Sequence, residues 1–251
     1  MRYELMRPEQ VRQAIREAWP VVLPVGVLEY HGEHLPLGMD GLVVTECLAR
    51  LEVEMDLVVL PTFWYGAASY AVEAPEGKGS LHVDAEALVP VARQVFAALL
   101  RVGFRNIHFL IHHQTEKFAE GMPTDLAFRL AARQAVFAHL ERERGEGWWG
   151  RPEAVGYYAA HQAGEDPFSW IRGHPLLTAE EIARYPFDHA GQGETSFMLA
   201  LCPDSVDMAA AFDGPWYTRS AGDASTELGE KGVELVLGHL RRALSRGRSG
   251  S

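Results

Sequence analysis

Basic charge, cysteine and long apolar runs are all scarce in this chain of 251 residues. Its 23 lysines and arginines face 34 aspartates and glutamates, for a formal charge of −11. That balance leaves no basic face to neutralise phosphates, which argues against a nucleic acid partner or an anionic membrane and makes a small molecule the default substrate. The two cysteines, Cys47 and Cys202, lie in separate apolar stretches rather than in a CxxC pair, so a disulfide framework is not expected. No run of about 18 apolar residues occurs, and the charged, amphipathic stretch Met1 to Pro20 lacks the apolar core of a signal peptide. The expectation is a soluble, cytoplasmic protein. A Rossmann glycine fingerprint and internal repeats are missing too.

What is present is an alternation of strand and helix patterns. Pro8 can open a helix at its first turn, and Val11, Ile15 and Trp19 then share one face. Val21 to Val27 reads as a strand, Leu42 to Val53 as a helix, Leu57 to Leu60 as a strand, and Asp84 to Leu100 as a helix. Ile107 to Ile111 reads as a strand, and Glu116 to Glu143 as a long helix interrupted near Pro123. Helices from Glu194 to Leu201 and from Thr226 to Leu244 close the pattern. This order predicts a three-layer α/β/α fold on a mostly parallel sheet. Residues 1–245 form a single domain in this reading and 246–251 a flexible tail. The stretch from Gly145 to Pro175, with Trp148, Trp149, Tyr157, Tyr158, Phe168 and Trp170 among glycines and prolines, reads as a long loop, either a lid or a subunit contact.

Three polar clusters carry chemistry. The first, Glu29 to Asp40, holds Glu29, His31, Glu33, His34 and Asp40 just after a strand. If Glu29 to His31 is extended, both side chains point to one side, because strand side chains alternate with period two. They could then offer an oxygen and a nitrogen to one divalent metal, with Asp40 placed to bridge two. A charged surface loop is the competing reading. Glu33 and His34 fit better as orienting or solvent-facing groups. In the second cluster, His112 to Glu116, consecutive histidines point apart, so at most one coordinates, and Glu116 suits a helix's first turn. The third, Asp188 to Ser196, reads either as a helix cap or as a site in which Glu194 is a metal ligand or base and His189 a proton donor.

In order and spacing these clusters resemble the creatininase family of creatinine amidohydrolases. The first signature is matched by Pro24, Gly26, Glu29, His31, Gly32, His34, Leu35, Pro36 and Asp40, and a later one by His189, Ala190, Gly191, Glu194, Thr195 and Ser196. The resemblance implies a sheet with its site at the strands' carboxyl ends, frequent assembly as homo-oligomers such as hexamers, and metal ligation by Glu29, His31 and Asp40. His113 occupies the position of the family's metal-binding histidine. The family's second-metal carboxylate is Thr115 here, so Glu194 or Glu116 must supply that oxygen if two metals bind. Gln114 replaces a tyrosine, which counts against creatinine itself. Gln114, Lys78 and Trp170 are the candidate substrate contacts. Zinc is the expected metal, with manganese or iron at a second site.

The mechanism these residues imply is attack of metal-activated water on a carbonyl, with His189 or Glu194 moving the proton to the leaving group. The expected substrate is a small cyclic amide or formamide. The alternatives are a carbohydrate-derived cyclic diketone opened at a carbon–carbon bond, and a non-catalytic metal-binding or assembly protein on the same fold.

Overall fold

The computed structural model describes residues 1–245; the expected flexible tail, 246–251, lies outside them. Four strands form one parallel sheet: β1 (Val21–Val25), β2 (Val58–Val59), β3 (Ile107–Ile111) and β4 (Ile171–Pro175), in the order β2-β1-β3-β4. The helices are α1 (Pro8–Arg16), α2 (Met39–Leu51), α3 (Ala85–Val102), α4 (Pro123–Arg144), α5 (Tyr157–Ala163), α6 (Ala179–Ile182), α7 (Gln192–Leu201) and α8 (Thr226–Ser245).

β1 and β3 are buried along their whole length, so successive side chains feed two separate cores. Val21, Leu23, Val25, Ile107, Phe109 and Ile111 join Phe96 and Leu100 of α3 and Phe128 and Ala131 of α4. Val22 and Leu110 point the other way and join Leu48 of α2, Phe197 of α7 and Val236 and Leu240 of α8. Helices therefore cover both faces, which is the expected three-layer α/β/α fold. Burial of each such large apolar side chain contributes roughly 1.5–3 kcal/mol. Among the described residues no helix is long and apolar enough to cross a membrane.

From β1 the chain leaves for β2 on one side, then returns to β3 on the other. The carboxyl ends of β1 and β3 thus flank a point where the winding reverses, and ligands collect in such crevices.

Two expectations are corrected. The helix read over Glu116 to Glu143 starts at Pro123 and runs to Arg144. A proline at the first helical position has no N–H to leave unsatisfied, so Pro123 begins the helix rather than interrupting it, and Glu116 is left exposed on the preceding turn. The stretch from Gly145 to Pro175 is not one long loop. After short turns and α5, Ile171–Pro175 enters the sheet as β4, paired with β3. Its polar composition hid it, and the pairing explains that composition. Gly173 lies beneath the Phe109 ring, where an added Cβ would sit 2.1 Å from a ring carbon, and His174 hydrogen-bonds His108 at 2.8 Å.

Candidate metal centre

Two glycines bring the first cluster together. A Cβ on Gly26 would lie 2.7 Å from the Gly41 Cα, so only glycine lets the end of β1 touch the first turn of α2. That contact sets Asp40 opposite the loop that follows β1. The loop is stitched by backbone bonds, Glu29 N–H to Leu37 O at 2.9 Å and Leu81 N–H to Leu28 O at 2.8 Å. The Tyr30 N–H adds a bond to Ser80 Oγ at 2.9 Å. Glu29, His31 and Asp40 end up 2%, 1% and 2% exposed, so the reading of this stretch as a charged surface loop is ruled out.

The other two clusters arrive from β3 and α7. His113 follows β3 and turns Nδ1 toward Glu29 Oε2 at 3.2 Å and Asp40 Oδ2 at 3.9 Å. Glu194, in the first turn of α7, lies 3.6 Å from His31 Nε2, which is itself 3.6 Å from Asp40 Oδ2. Glu194 is held from two sides: Oε1 is 3.0 Å from His112 Nε2, and Oε2 accepts from the Ala190 N–H at 2.6 Å. Ala190 adopts a left-handed backbone, φ 52°, a strained state that aims its N–H at the carboxylate. Two donor sets result, Glu29–Asp40–His113 and His31–Asp40–Glu194, each with its ligand atoms within 4.8 Å of one another. Asp40 belongs to both.

The donor chemistry fits divalent cations. Each set offers two carboxylate oxygens and one imidazole nitrogen, a mixture that zinc and manganese accept. His31 Nδ1 lies 3.0 Å from the Glu29 carbonyl; a carbonyl only accepts, so Nδ1 carries a proton and Nε2 is the nitrogen turned toward Asp40 and Glu194, able to ligate a metal once it is deprotonated. Asp40 Oδ2 is buried without a hydrogen-bond partner, and among the described residues no lysine or arginine forms a salt bridge with Glu29, Asp40 or Glu194. Three buried carboxylates faced only by histidines, which can give up their protons, fit a cation at their centre. The histidines register the same field. Burial opposes charge on His113, yet its hydrogen bond to Glu29 and the charges of Asp40, Glu29 and Glu194 raise its pKa to about 9. His31 is raised against burial by Asp40, Glu194 and Glu29. Burial works to raise the pKa of Glu194, but His31, His112 and His189 overcome it and hold the group as a carboxylate.

His189 completes the centre. Its ring lies 4.3 Å from that of His31, and its Nε2 is 3.1 Å from the Tyr30 carbonyl. Glu29, His31 and His189 form a third set of converging donors. His34 is buried, its Nε2 2.9 Å from Thr195 Oγ1, and it props the start of α7 rather than joining a donor set.

The structure separates the candidate substrate contacts. Lys78 hydrogen-bonds the Tyr30 hydroxyl at 3.2 Å and pairs with the exposed Glu33, at the rim of the metal centre. Gln114 is committed elsewhere: its amide donates to Leu177 O at 2.8 Å and accepts from Leu177 N at 3.1 Å, which ties β3's exit to β4's. Trp170 lies at the opposite end of the sheet, where its carbonyl accepts from Ile107 at the start of β3 and its ring packs against Arg105 and His139. Both expectations are corrected for this chain. Glu116 is exposed and outside the converging donor sets, whereas Glu194 belongs to one of them.

Tyr217 was missed. It sits on the turn Trp216–Asp223 with its ring 5.1 Å from His189. Burial and neighbouring Tyr30 and Glu73 push its phenol up to about 12. No histidine or carboxylate adjoins it in sequence, so no motif announced it. His112, passed over in favour of His113, is the partner that orients Glu194.

Comparisons with known proteins agree with this fold. A 3-dehydro-scyllo-inosose hydrolase of Thermotoga maritima is 26% identical over 214 residues, 84% of this chain and 59% of that protein. A creatinine amidohydrolase of Pseudomonas putida is 27% identical over 199 residues, 78% of this chain and 69% of that protein. A solved mutant creatininase of the Zn–Zn type superposes with a TM-score of 0.73 at 20% identity, over 99% of this chain and 98% of the other. The family model for creatininase, creatinine amidohydrolase, matches residues 4–244. With that match running through every element that builds the metal centre, the chain belongs to the creatininase family of hydrolases.

Proposed function

We propose that this chain is a metal-dependent hydrolase that opens a small cyclic substrate at a carbonyl, with a cyclic amide or formamide as the first substrate class. The observation that carries the reading is the sharing of Asp40 by two buried donor sets of matched composition. Glu29, Asp40 and His113 would hold one divalent metal, and His31, Asp40 and Glu194 a second. Zinc suits both sets, and manganese or iron could take either, since each offers two carboxylates and one imidazole. Bound there, such metals lower the pKa of water toward neutrality and polarise a carbonyl.

The protein's own groups supply the rest. Glu194, kept ionised and pinned by His112 and the Ala190 N–H, holds a fixed acceptor beside His31. His189 spends its Nε2 proton on the Tyr30 carbonyl, which leaves Nδ1 to take a proton and return it to the leaving group. Burial of the cluster strengthens every one of these interactions relative to water. Lys78, beside Tyr30 at the rim, is placed to contact the part of a substrate that extends outward.

A second reading is opening of a carbocyclic diketone at a carbon–carbon bond. It draws support from the match to the inosose hydrolase and from Gln114 and Thr115 standing where the creatinine-hydrolysing pattern has tyrosine and glutamate. Assembly into homo-oligomers is supported by the exposed apolar side chains of α4, Leu126, Leu130 and Phe137, and by nearby Trp149 and Tyr158.

The test is elemental analysis of the purified full chain, followed by hydrolysis assays on creatinine, an N-alkyl formamide and cyclohexane-1,3-dione. Two metal ions per chain, one of them lost in Glu194→Ala, with carboxylate product from at least one substrate class, is the expected result. Metal-replete protein that hydrolyses none of these substrates would favour a binding or assembly role, and protein that takes up no metal would end both readings.

A further inference from the structure

Three tyrosines surround the metal centre, and two have their hydroxyls satisfied. Tyr185 donates to the Gly193 carbonyl at 2.7 Å. Tyr30 donates to Glu33 at 2.8 Å and accepts from Lys78 at 3.2 Å. The third, Tyr217, has a buried hydroxyl with no hydrogen-bond partner. Native interiors carry few such atoms, because an unmet buried donor forfeits its bonds to water and gains nothing in return.

The position of Tyr217 is held from outside the ring. Its turn is fastened to the start of α7 by the Gln192 N–H on Ser220 Oγ at 3.1 Å and the Gln192 side chain on the Asp223 carbonyl at 3.0 Å. Thr218, next in the chain, packs beside Gly32 in the loop that carries Glu29 and His31. The Tyr217 ring meets His189 edge to face at 70°, and His189 lies against His31. So a rigid turn delivers a phenol with a proton to give to the histidine side of the metal centre, where the protein offers no acceptor.

We propose that Tyr217 is a catalytic residue whose hydroxyl donates a hydrogen bond to an oxygen of the substrate's reacting carbonyl. This rests on the hydrolase reading above and deepens it by naming a donor for the oxygen on which negative charge grows. A hydrogen bond from a preorganised neutral donor strengthens as that charge develops, which is the condition for stabilising a transition state rather than a ground state. The donor makes substrates with a carbonyl or alkoxide-forming oxygen the fitting class and gives no advantage to a hydrocarbon face.

The test uses the full chain loaded with zinc, with acetohydroxamate as the probe, since its anionic oxygens mimic a carbonyl oxygen that has gained charge. Zinc content, melting temperature and hydroxamate affinity by calorimetry are compared for wild type and Tyr217→Phe. The expected result is equal zinc, an equal or higher melting temperature because an unmet hydroxyl has been removed, and hydroxamate binding weakened about 10-fold or more. A lower melting temperature with unchanged hydroxamate affinity would make Tyr217 a structural residue and overturn the proposal. So would zinc-loaded wild type that ignores hydroxamate. Failure of wild type to bind zinc is a separate outcome: it removes the hydrolase reading and this inference with it.

Discussion

At the carboxyl ends of β1 and β3 the chain buries Glu29, His31, Asp40 and Glu194 around atoms whose bonding is incomplete. At the amino ends it also buries polar groups, but there each need is met. Trp19 donates to Glu17 at 2.9 Å, and Asn106 donates to the Ala18 carbonyl at 3.1 Å while its oxygen lies 2.9 Å from His108 Nε2. The amino end also carries a cleft of about 290 Å³ among Trp19, Arg105 and Trp170. By shape and aromatic lining alone that cleft resembles a ligand site. Unmet hydrogen bonds and unpaired charge select the other end, and these are the better guide because a folded chain bears their cost only where something else completes them.

The comparison breaks if the two ends respond alike to damage. Asp40→Ala should produce the largest effect: metal content falls below detection at both positions, because one ligand serves two sets, while circular dichroism of the domain is retained. Retention of one metal per chain would show that Asp40 is not shared. Trp19→Ala at the amino end should do the converse, costing about 3–5 kcal/mol of stability by urea denaturation and leaving metal stoichiometry of the folded fraction intact. Loss of metal in that variant would mean that the ends are not separable.

Acidity offers the mildest probe. His113 has a folded-state pKa raised to about 9, above an unfolded value of about 6.5. Its stabilisation is fully present below the unfolded value and is lost as pH rises through the folded one. Metal-free protein should therefore lose up to about 3 kcal/mol between pH 6.5 and 9.5, and metal uptake at pH 7.5 should release a proton that indicator dye can count. Metal-free stability that is flat or rising across this window would show that the carboxylates do not act on His113 as the geometry requires.

Much of the centre could be read from the chain before folding was considered. Glu29, His31 and Asp40 sit in one short segment, and His113 and Glu194 each follow or open a regular element, so local pattern and final position coincide. What escaped depended on contacts between distant segments. β4 looks like a loop because its side chains answer to Phe109 and His108 across the strand pair. Trp170 looks like a substrate contact until the register of β4 puts it at the wrong end. Gln114 looks free until Leu177 occupies both sides of its amide. Tyr217 belongs to the centre only because the turn after α7 folds back over it.

The contact between Gly26 and Gly41 has a consequence for how this protein can change over generations. Strand end and helix start touch backbone to backbone, so the spacing of the clustered donors rests on atoms common to every amino acid; a side chain added at Gly26 would force the two apart, and one added at Gly41 would strike the Trp64 ring. Variation there is closed. Lys78 and Tyr217 hang on separate segments outside that contact, so a change at either leaves the Gly26–Gly41 contact in place. A scaffold that fixes its donor spacing through backbone can vary the segments around it, which suits a fold whose relatives bear the names of chemically different substrates.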